Sequence, residues 1–266
     1  MRIGILSPIN NSLYSRVLAW ECIQEPGIDV VKVVVRKTLS LNRIRGEIKR
    51  DGARLLKKVY KKLVLGEETI QRGDSKSLFA RAKFLNLPGK NLTELCAEKS
   101  IPLLKVGDHN DPWVVEAIRE AKLDAVLFTG GGLIRKNLLE ASRLGVINCH
   151  AGLLPNYRGM DVVEWPILNS KKGIKDIGLT LHIMDRGVDT GPILIKKAIE
   201  VQKGESFEDI RMHMGPQMVD LMMEGLRGLR DGKLEAHSQK KEDGRQYFVM
   251  HPRVKEAAEK NLNSKT

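Results

Sequence analysis

Short, β-branched apolar runs recur along this 266-residue chain, separated by segments long enough for a helix, and this alternation constrains the fold more than any other feature. Arg2 to Ser7, Ile28 to Val35, Pro102 to Val106, Ala125 to Phe128 and the run opening at Val146 are each about the length of a strand buried on both faces. Between them, Leu13 to Cys22, Leu92 to Lys99 and Trp113 to Ala121 carry helical spacing, the last led by Asp111 and Pro112 as N-cap and first-turn proline. Strand and helix in strict alternation predict an α/β protein with a Rossmann-like, doubly wound, mostly parallel sheet. The first strand-to-helix turn, Pro8 to Ser12, has no glycine to bring backbone against a pyrophosphate, which disfavours dinucleotide binding.

The pattern continues with helices from Asn137 to Arg143 and from Asp161 to Ser170, then strands from Leu179 to Met184 and from Ile193 to Val201. Ser206 with Asp209 forms a capping-box pair opening a Met-rich helix to about Arg227, where the methionines read as core filling. Tyr247 to Pro252 reads as an extended piece packed on the domain, and the last dozen residues as a helical or frayed tail.

Charge is regional. The net charge is +12, yet Arg36 to Lys62 holds eleven Lys and Arg against Glu47 and Asp51 and supplies most of that excess. Leu41 to Leu65 reads as one or two amphipathic helices, either a solvated surface or a contact for phosphates or nucleic acid; the near-absence of aromatics argues against base stacking. Three widely spaced cysteines, Cys22, Cys96 and Cys149, fit neither a disulfide framework nor a zinc site and point to a reducing compartment. The opening apolar run is too brief for a signal peptide, and no run reaches the roughly 18 apolar residues of a membrane helix, so the reading is cytoplasmic with no membrane partner.

Chemistry concentrates after Val146. Asn148 and His150 lie two apart on a strand, so their side chains leave the same face: an amide donor beside a titratable imidazole, which suits acyl or formyl transfer. The bland alternative is a hydrogen-bonded structural pair. Leu153-Leu154-Pro155-x-Tyr157-Arg158-Gly159 follows, and a second strand runs from His182 into a glycine-rich turn carrying Asp185 and Asp189. Taken alone, that turn is equally a device of residues that tolerate unusual backbone angles. His182 reads as a structural residue flanking the pocket, and no metal is expected, because the histidines lack ligand spacing.

Asn-x-His, the Leu-Leu-Pro-x-Tyr-Arg-Gly run, and Asp189-Thr190-Gly191-Pro192 beginning 41 residues after the asparagine together resemble the folate-dependent formyltransferase family. That family includes methionyl-tRNA formyltransferase, glycinamide ribonucleotide formyltransferase and the sugar-nucleotide N-formyltransferases. The resemblance is closest over about residues 124–200 and absent over about 38–90. It implies a catalytic domain over about 1–230, with a basic helical insertion at about 38–90 and a short C-terminal extension over 231–266. It further implies transfer of a formyl group from 10-formyltetrahydrofolate to a primary amine. Asn148, His150 and Asp189 would then be catalytic, Asp185 a loop or folate-side residue, and Gly131, Gly132, Leu133 and Ile134 the folate pocket. Tyr157, Arg158 and Gly159 would shape the acceptor side; Arg158 is open to two roles, fixing the loop or contacting an anionic acceptor. The hydrolysis of formyltetrahydrofolate by the same residues is the enzymatic alternative, and a nucleic-acid-binding protein using the basic segment is the non-enzymatic one. Only some 35 residues follow the Met-rich helix, too few for the C-terminal barrel of methionyl-tRNA formyltransferase, so a small-molecule amine is favoured over tRNA as acceptor.

Overall fold

The computed structural model describes residues 1–37, 75–170 and 176–265. The helical reading of Leu41 to Leu65, and with it most of the basic segment, lies outside the described residues.

A seven-stranded sheet organises the chain. Its strands are β1 (Arg2–Ser7), β2 (Asp29–Arg36), β3 (Leu103–Val106), β4 (Ala125–Phe128), β5 (Val146–His150), β7 (Gly178–Ile183) and β8 (Ile193–Ala198), with β6 (Tyr157–Gly159) lying apart from them. The order across the sheet is β3-β2-β1-β4-β5-β7-β8. The first five strands run parallel, whereas β7 is antiparallel to β5 and β8 antiparallel to β7. The mostly parallel sheet inferred from the alternation is therefore present. Its antiparallel edge follows from a hairpin, since the β7–β8 link is a short turn that cannot cross over. Strand order reverses between β1 and β4, which is where open α/β sheets gather their ligands, outside the strands' C-terminal ends.

Alternation along each strand sorts side chains onto two faces. On one, Ile3, Ile5, Val33, Leu127, Ile147, Cys149, Leu179 and Leu181 pack in a single core with α1 (Leu13–Gln24), α3 (Leu92–Glu98) and α7 (Phe207–Arg230). On the other, Leu6, Val34, Val126 and Val146 meet α4 (Pro112–Glu120) and α5 (Lys136–Leu139). All three cysteines are buried, and burial raises their thiol pKa values, Cys96 to about 11, so they act as small apolar side chains.

Local signals account for the helix starts. Ser12 caps α1 by accepting from the Ser15 amide at 3.2 Å, and Ser206 and Asp209 cap α7 reciprocally. Asp111 sits at the N-cap of α4 but turns its carboxylate back to the Asp108 amide. Three elements are shorter than the spacing predicts: α5 stops at Leu139, α6 is confined to Glu164–Asn169, and β8 ends at Ala198. Of the polar stretch before Leu92, α2 (Leu78–Phe84) is described; it is held to α1 and α7 through Arg81, which pairs with Glu21 and Asp220. After α7 the chain returns through β9 (Arg245–Tyr247), which pairs with β6, and ends in α8 (Pro252–Lys265). Among the described residues no helix is long and apolar enough to cross a membrane.

Candidate active site

Beyond β4, the second face of the sheet changes character. In register with apolar Val146 come Asn148 and His150, and opposite them on β7 stand His182 and Thr180. Alternation places all four polar side chains on one face, while Ile147, Cys149, Leu179 and Leu181 anchor the same strands in the core behind. The sequence separation of 34 residues between Asn148 and His182 vanishes in the pairing of β5 with β7.

The loop after β5 is bound to the strands that carry these residues. Thr180 donates its hydroxyl to the Gly152 carbonyl at 2.7 Å and accepts from the Leu154 amide at 3.0 Å. The Leu154–Pro155 bond is cis. This turn brings the Tyr157 carbonyl to 2.9 Å from His150 Nε2. Gly152 is required there, since a Cβ would lie 2.9 Å from that same nitrogen and 3.0 Å from the Tyr157 oxygen.

A carbonyl only accepts, so His150 Nε2 carries a proton and Nδ1 is the nitrogen free to gain or lose one. Nδ1 faces Asp189 Oδ2 at 3.5 Å, an ion-pair distance. Asp189 adopts a left-handed backbone (φ 53), a conformation aspartate tolerates better than most residues, and its Oδ2 accepts the Gly159 amide at 2.9 Å. Asp185, 4 residues earlier, is exposed and shapes the turn: its carboxylate takes the Gly187 amide at 3.0 Å and the Thr190 hydroxyl at 2.7 Å.

His182 is buried, and that burial pushes its pKa down to about 4 against the opposing pull of Asp189. Its Nδ1 donates to the Ile183 carbonyl at 3.3 Å, leaving a lone pair on Nε2 that accepts from Asn148 Nδ2 at 3.2 Å. A neutral His182 thus fixes which way the Asn148 amide points and leaves its second N–H available. His182 is therefore more than the structural residue flanking the pocket that its spacing suggests, and its in-register place opposite Asn148 is the reason.

Tyr157, Arg158 and Gly159, a little beyond the cis bond, serve as supports. Tyr157 is 9 % exposed, stacked on Tyr247 with ring centroids 5.3 Å apart, and supplies the carbonyl that holds His150. Of the two roles open to Arg158, the geometry selects loop fixing: the side chain is 3 % exposed and its guanidinium donates to the Gln239 side chain and the Lys240 carbonyl. Gly159 gives its amide to Asp189, and at φ 96 any Cβ would collide with the Tyr247 carbonyl. All three positions support the His150–Asp189 pair through these bonds.

The glycine loop leaves β4 beside this site, because Phe128 at its root pairs with Asn148. Gly130, Gly131 and Gly132 all have φ between 100° and 121°. Arg36 reaches under the loop to the Gly131 carbonyl, His109 packs against Gly131, and Asn110 bridges the Leu133 carbonyl and the Arg135 amide at 2.8 and 2.7 Å. Ile134 is buried, whereas Leu133 stands 72 % exposed above the loop. Between this loop and the β1 turn, Ser7, Ser12, Ser15 and Thr129 share a chain of hydroxyl hydrogen bonds at the point where strand order reverses.

A doubly wound sheet ending in an Asn, His and Asp constellation defines a class, and comparison with known proteins gives the family. A family model described as formyl transferase matches residues 66–225, more than half of the chain, and the chain belongs to that family. Methionyl-tRNA formyltransferase of Pelobacter propionicus is 34% identical over 147 residues, covering 55% of this chain and 45% of that protein. The enzyme of the same name from Caldanaerobacter subterraneus is 28% identical over 165 residues, 61% of this chain and 52% of the relative. The chain thus spans about half the length of the curated relatives it matches. Among solved structures, glycinamide ribonucleotide transformylase 1 from Symbiobacterium toebii superposes with a TM-score of 0.56 at 18% identity, covering 90% of this chain and 94% of that one. The N-formyltransferase from Helicobacter canadensis, solved with folinic acid and dTDP-3-aminofucose, gives 0.58 at 16% identity, covering 93% of this chain and 70% of that one. At these identities the structures establish a shared fold.

Proposed function

We propose that this protein transfers a formyl group from 10-formyltetrahydrofolate to a primary amine, with Asn148, His150 and Asp189 as the catalytic residues. The observation that carries the reading is the proton arrangement: one imidazole nitrogen tied to a carbonyl, the other facing a carboxylate, and an amide N–H left free beside them. Formyl transfer needs these services together. The amine nitrogen attacks the formyl carbon, the formyl oxygen takes on negative charge, and a proton passes from the incoming nitrogen to the departing one as the old carbon–nitrogen bond breaks. Asn148 Nδ2 offers its second N–H to the charged oxygen. His150 Nδ1 accepts the proton and Asp189 stabilises the imidazolium that results.

The donor's place fits the glycine loop. A Cβ on Gly131 or Gly132 would meet His109 or Arg36, so only glycine lets the loop lie this close to them, and exposed Leu133 offers an apolar surface for a flat ring. Ile134 anchors the loop from within. Asp185 acts through the turn that delivers Asp189. Residues 1–230 would form the catalytic unit and 231–266 an extension completing it. For the acceptor, an amino-sugar nucleotide is favoured over methionyl-tRNA. The basic segment holds a single aromatic, Tyr60, which leaves little for base stacking.

A panel of amines assayed with 10-formyltetrahydrofolate tests this: amino-sugar nucleotides, glycinamide ribonucleotide and charged initiator tRNA. Formylation of a sugar nucleotide with release of tetrahydrofolate is expected. Donor breakdown to formate irrespective of any amine would replace the transferase with a hydrolase. Selective formylation of the tRNA, with affinity falling as salt rises by roughly 0.7–0.9 log units per log unit for each phosphate contact, would move the acceptor to nucleic acid.

A further inference from the structure

We infer that Gln239, in the segment that follows α7, is a positioning residue for the catalytic pair, so that the C-terminal extension is part of the active site. This inference rests on the catalytic roles proposed above for His150 and Asp189.

Four contacts carry it. Gln239 Nε2 donates to the Gly191 carbonyl at 2.6 Å and to the Asp189 carbonyl at 3.2 Å, while its Oε1 accepts from Arg158 Nη2 at 3.1 Å and Nε at 3.3 Å. One carboxamide therefore joins the turn that bears Asp189 to the loop whose Tyr157 carbonyl holds His150. The donor and acceptor ends are chemically distinct, and each faces the partner it can satisfy. The neighbouring backbone reinforces the placement. His237 exchanges both amide hydrogen bonds with Ile193 at 2.8 Å, and β9 runs parallel to β6, pairing Arg245 to Tyr247 with Tyr157 to Gly159. Met250 closes the run by donating its amide to the Asp161 carboxylate at 2.7 Å.

The consequence is geometric. The Asp189 carboxylate faces His150 at 3.5 Å and His182 at 3.6 Å and takes the Gly159 amide, while its backbone sits in a left-handed conformation that L residues seldom adopt. Asp189 is thus carried on a loop and His150, at the end of β5, is held by the loop that bears Tyr157, and Gln239 bonds to both loops. An error of about 1 Å between reacting groups lowers a rate by as much as ~10²-fold. The side chain touches no reacting atom and acts only through Asp189 and Arg158.

Two variants separate positioning from plain stability. Gln239→Ala removes both ends. Gln239→Glu keeps an acceptor for Arg158, with a charge that strengthens it, but has no N–H for the Asp189 and Gly191 carbonyls. If positioning is the role, both variants lower kcat by about ten-fold or more, leave KM for the formyl donor nearly unchanged, and speed hydrogen exchange at the Gly159 amide, with Gln239→Glu still folded at the assay temperature. The inference is overturned if folded Gln239→Glu keeps kcat within about twofold of wild type, or if Gly159 exchange is unaltered. Failure of both variants to fold also overturns it, because the residue would then support the whole fold. A wild-type chain that transfers no formyl group defeats the proposed function instead, and the Gly159 exchange comparison then still decides whether Gln239 holds the Asp189 turn.

Discussion

The Tyr157 carbonyl receives the Nε2 proton of His150 at 2.9 Å, and this one bond decides that Nδ1, facing Asp189, is the nitrogen that works. Removing either member of the pair should therefore remove proton transfer and leave the pocket. His150→Ala and Asp189→Asn are each expected to lower turnover by about 10²–10⁴, with donor affinity in calorimetry changed only a few-fold. Asparagine accepts a left-handed backbone as readily as aspartate does, so Asp189→Asn isolates the charge. Asp185→Asn should be mild. A severe Asp185→Asn effect beside a mild Asp189→Asn effect would exchange the roles of the two aspartates.

Asn148 is oriented by a neutral histidine, which separates its contribution from that of His150. Asn148→Ala should cost roughly 10²–10³ in kcat, the scale of losing one oxyanion donor. His182→Ala should lower kcat in the same direction by a smaller factor, because the amide remains but turns freely. Combined, the two changes should cost less than the sum of the single losses, since His182 orients Asn148 as well as facing Asp189 at 3.6 Å. Steady-state rates of the two single variants and the double variant test this; additive losses would give His182 a separate role.

Two buried histidines set an acid limit on stability. Burial pushes both His182 and His109 down to about 4 from the ordinary 6.5, and for His109 the Arg36 cation adds to the effect. A group depressed in the fold binds fewer protons there than in the unfolded chain. The stability it contributes is full above 6.5 and falls as pH drops from there toward 4. Each histidine should give a slope approaching about 1.4 kcal/mol per pH unit within that window. Urea denaturation of wild type, His109→Gln and His182→Gln measures it: each variant should lose about one proton from the slope. A slope unchanged in both would mean that neither histidine is held neutral.

Gly152 gives a steric test of the same loop. In Gly152→Ala the new methyl meets His150 Nε2, Val162 and the Tyr157 carbonyl at once. The expected result is a protein destabilised by about 1–3 kcal/mol whose kcat falls further than its stability explains, as read by rate and thermal melt together. Wild-type kcat in this variant would show that the Nε2 bond to Tyr157 is not needed.

Much of this was legible in the residues themselves. The parallel half of the sheet followed from β-branched runs alternating with helical spacing, because burial on both faces leaves no polar positions in such strands. The capping box of α7 was legible because caps are local, and the shared face of Asn148 and His150 followed from a strand period of two. The family was legible because its motifs lie close together in sequence.

What the sequence left open was whatever depends on contacts between distant segments. It put Asp185 and Asp189 on one loop but offered only the resemblance to choose between them, and the choice in space is made by the turn that brings Asp189 to His150 and turns Asp185 onto Thr190. It left Arg158 between two roles, and burial against Gln239, 81 residues away, selected one. It gave His182 no task, because its partner Asn148 becomes a neighbour only when β7 pairs antiparallel with β5. Local propensity and period are written residue by residue, whereas hydrogen-bond partners across loops are fixed only by the register in which those strands meet.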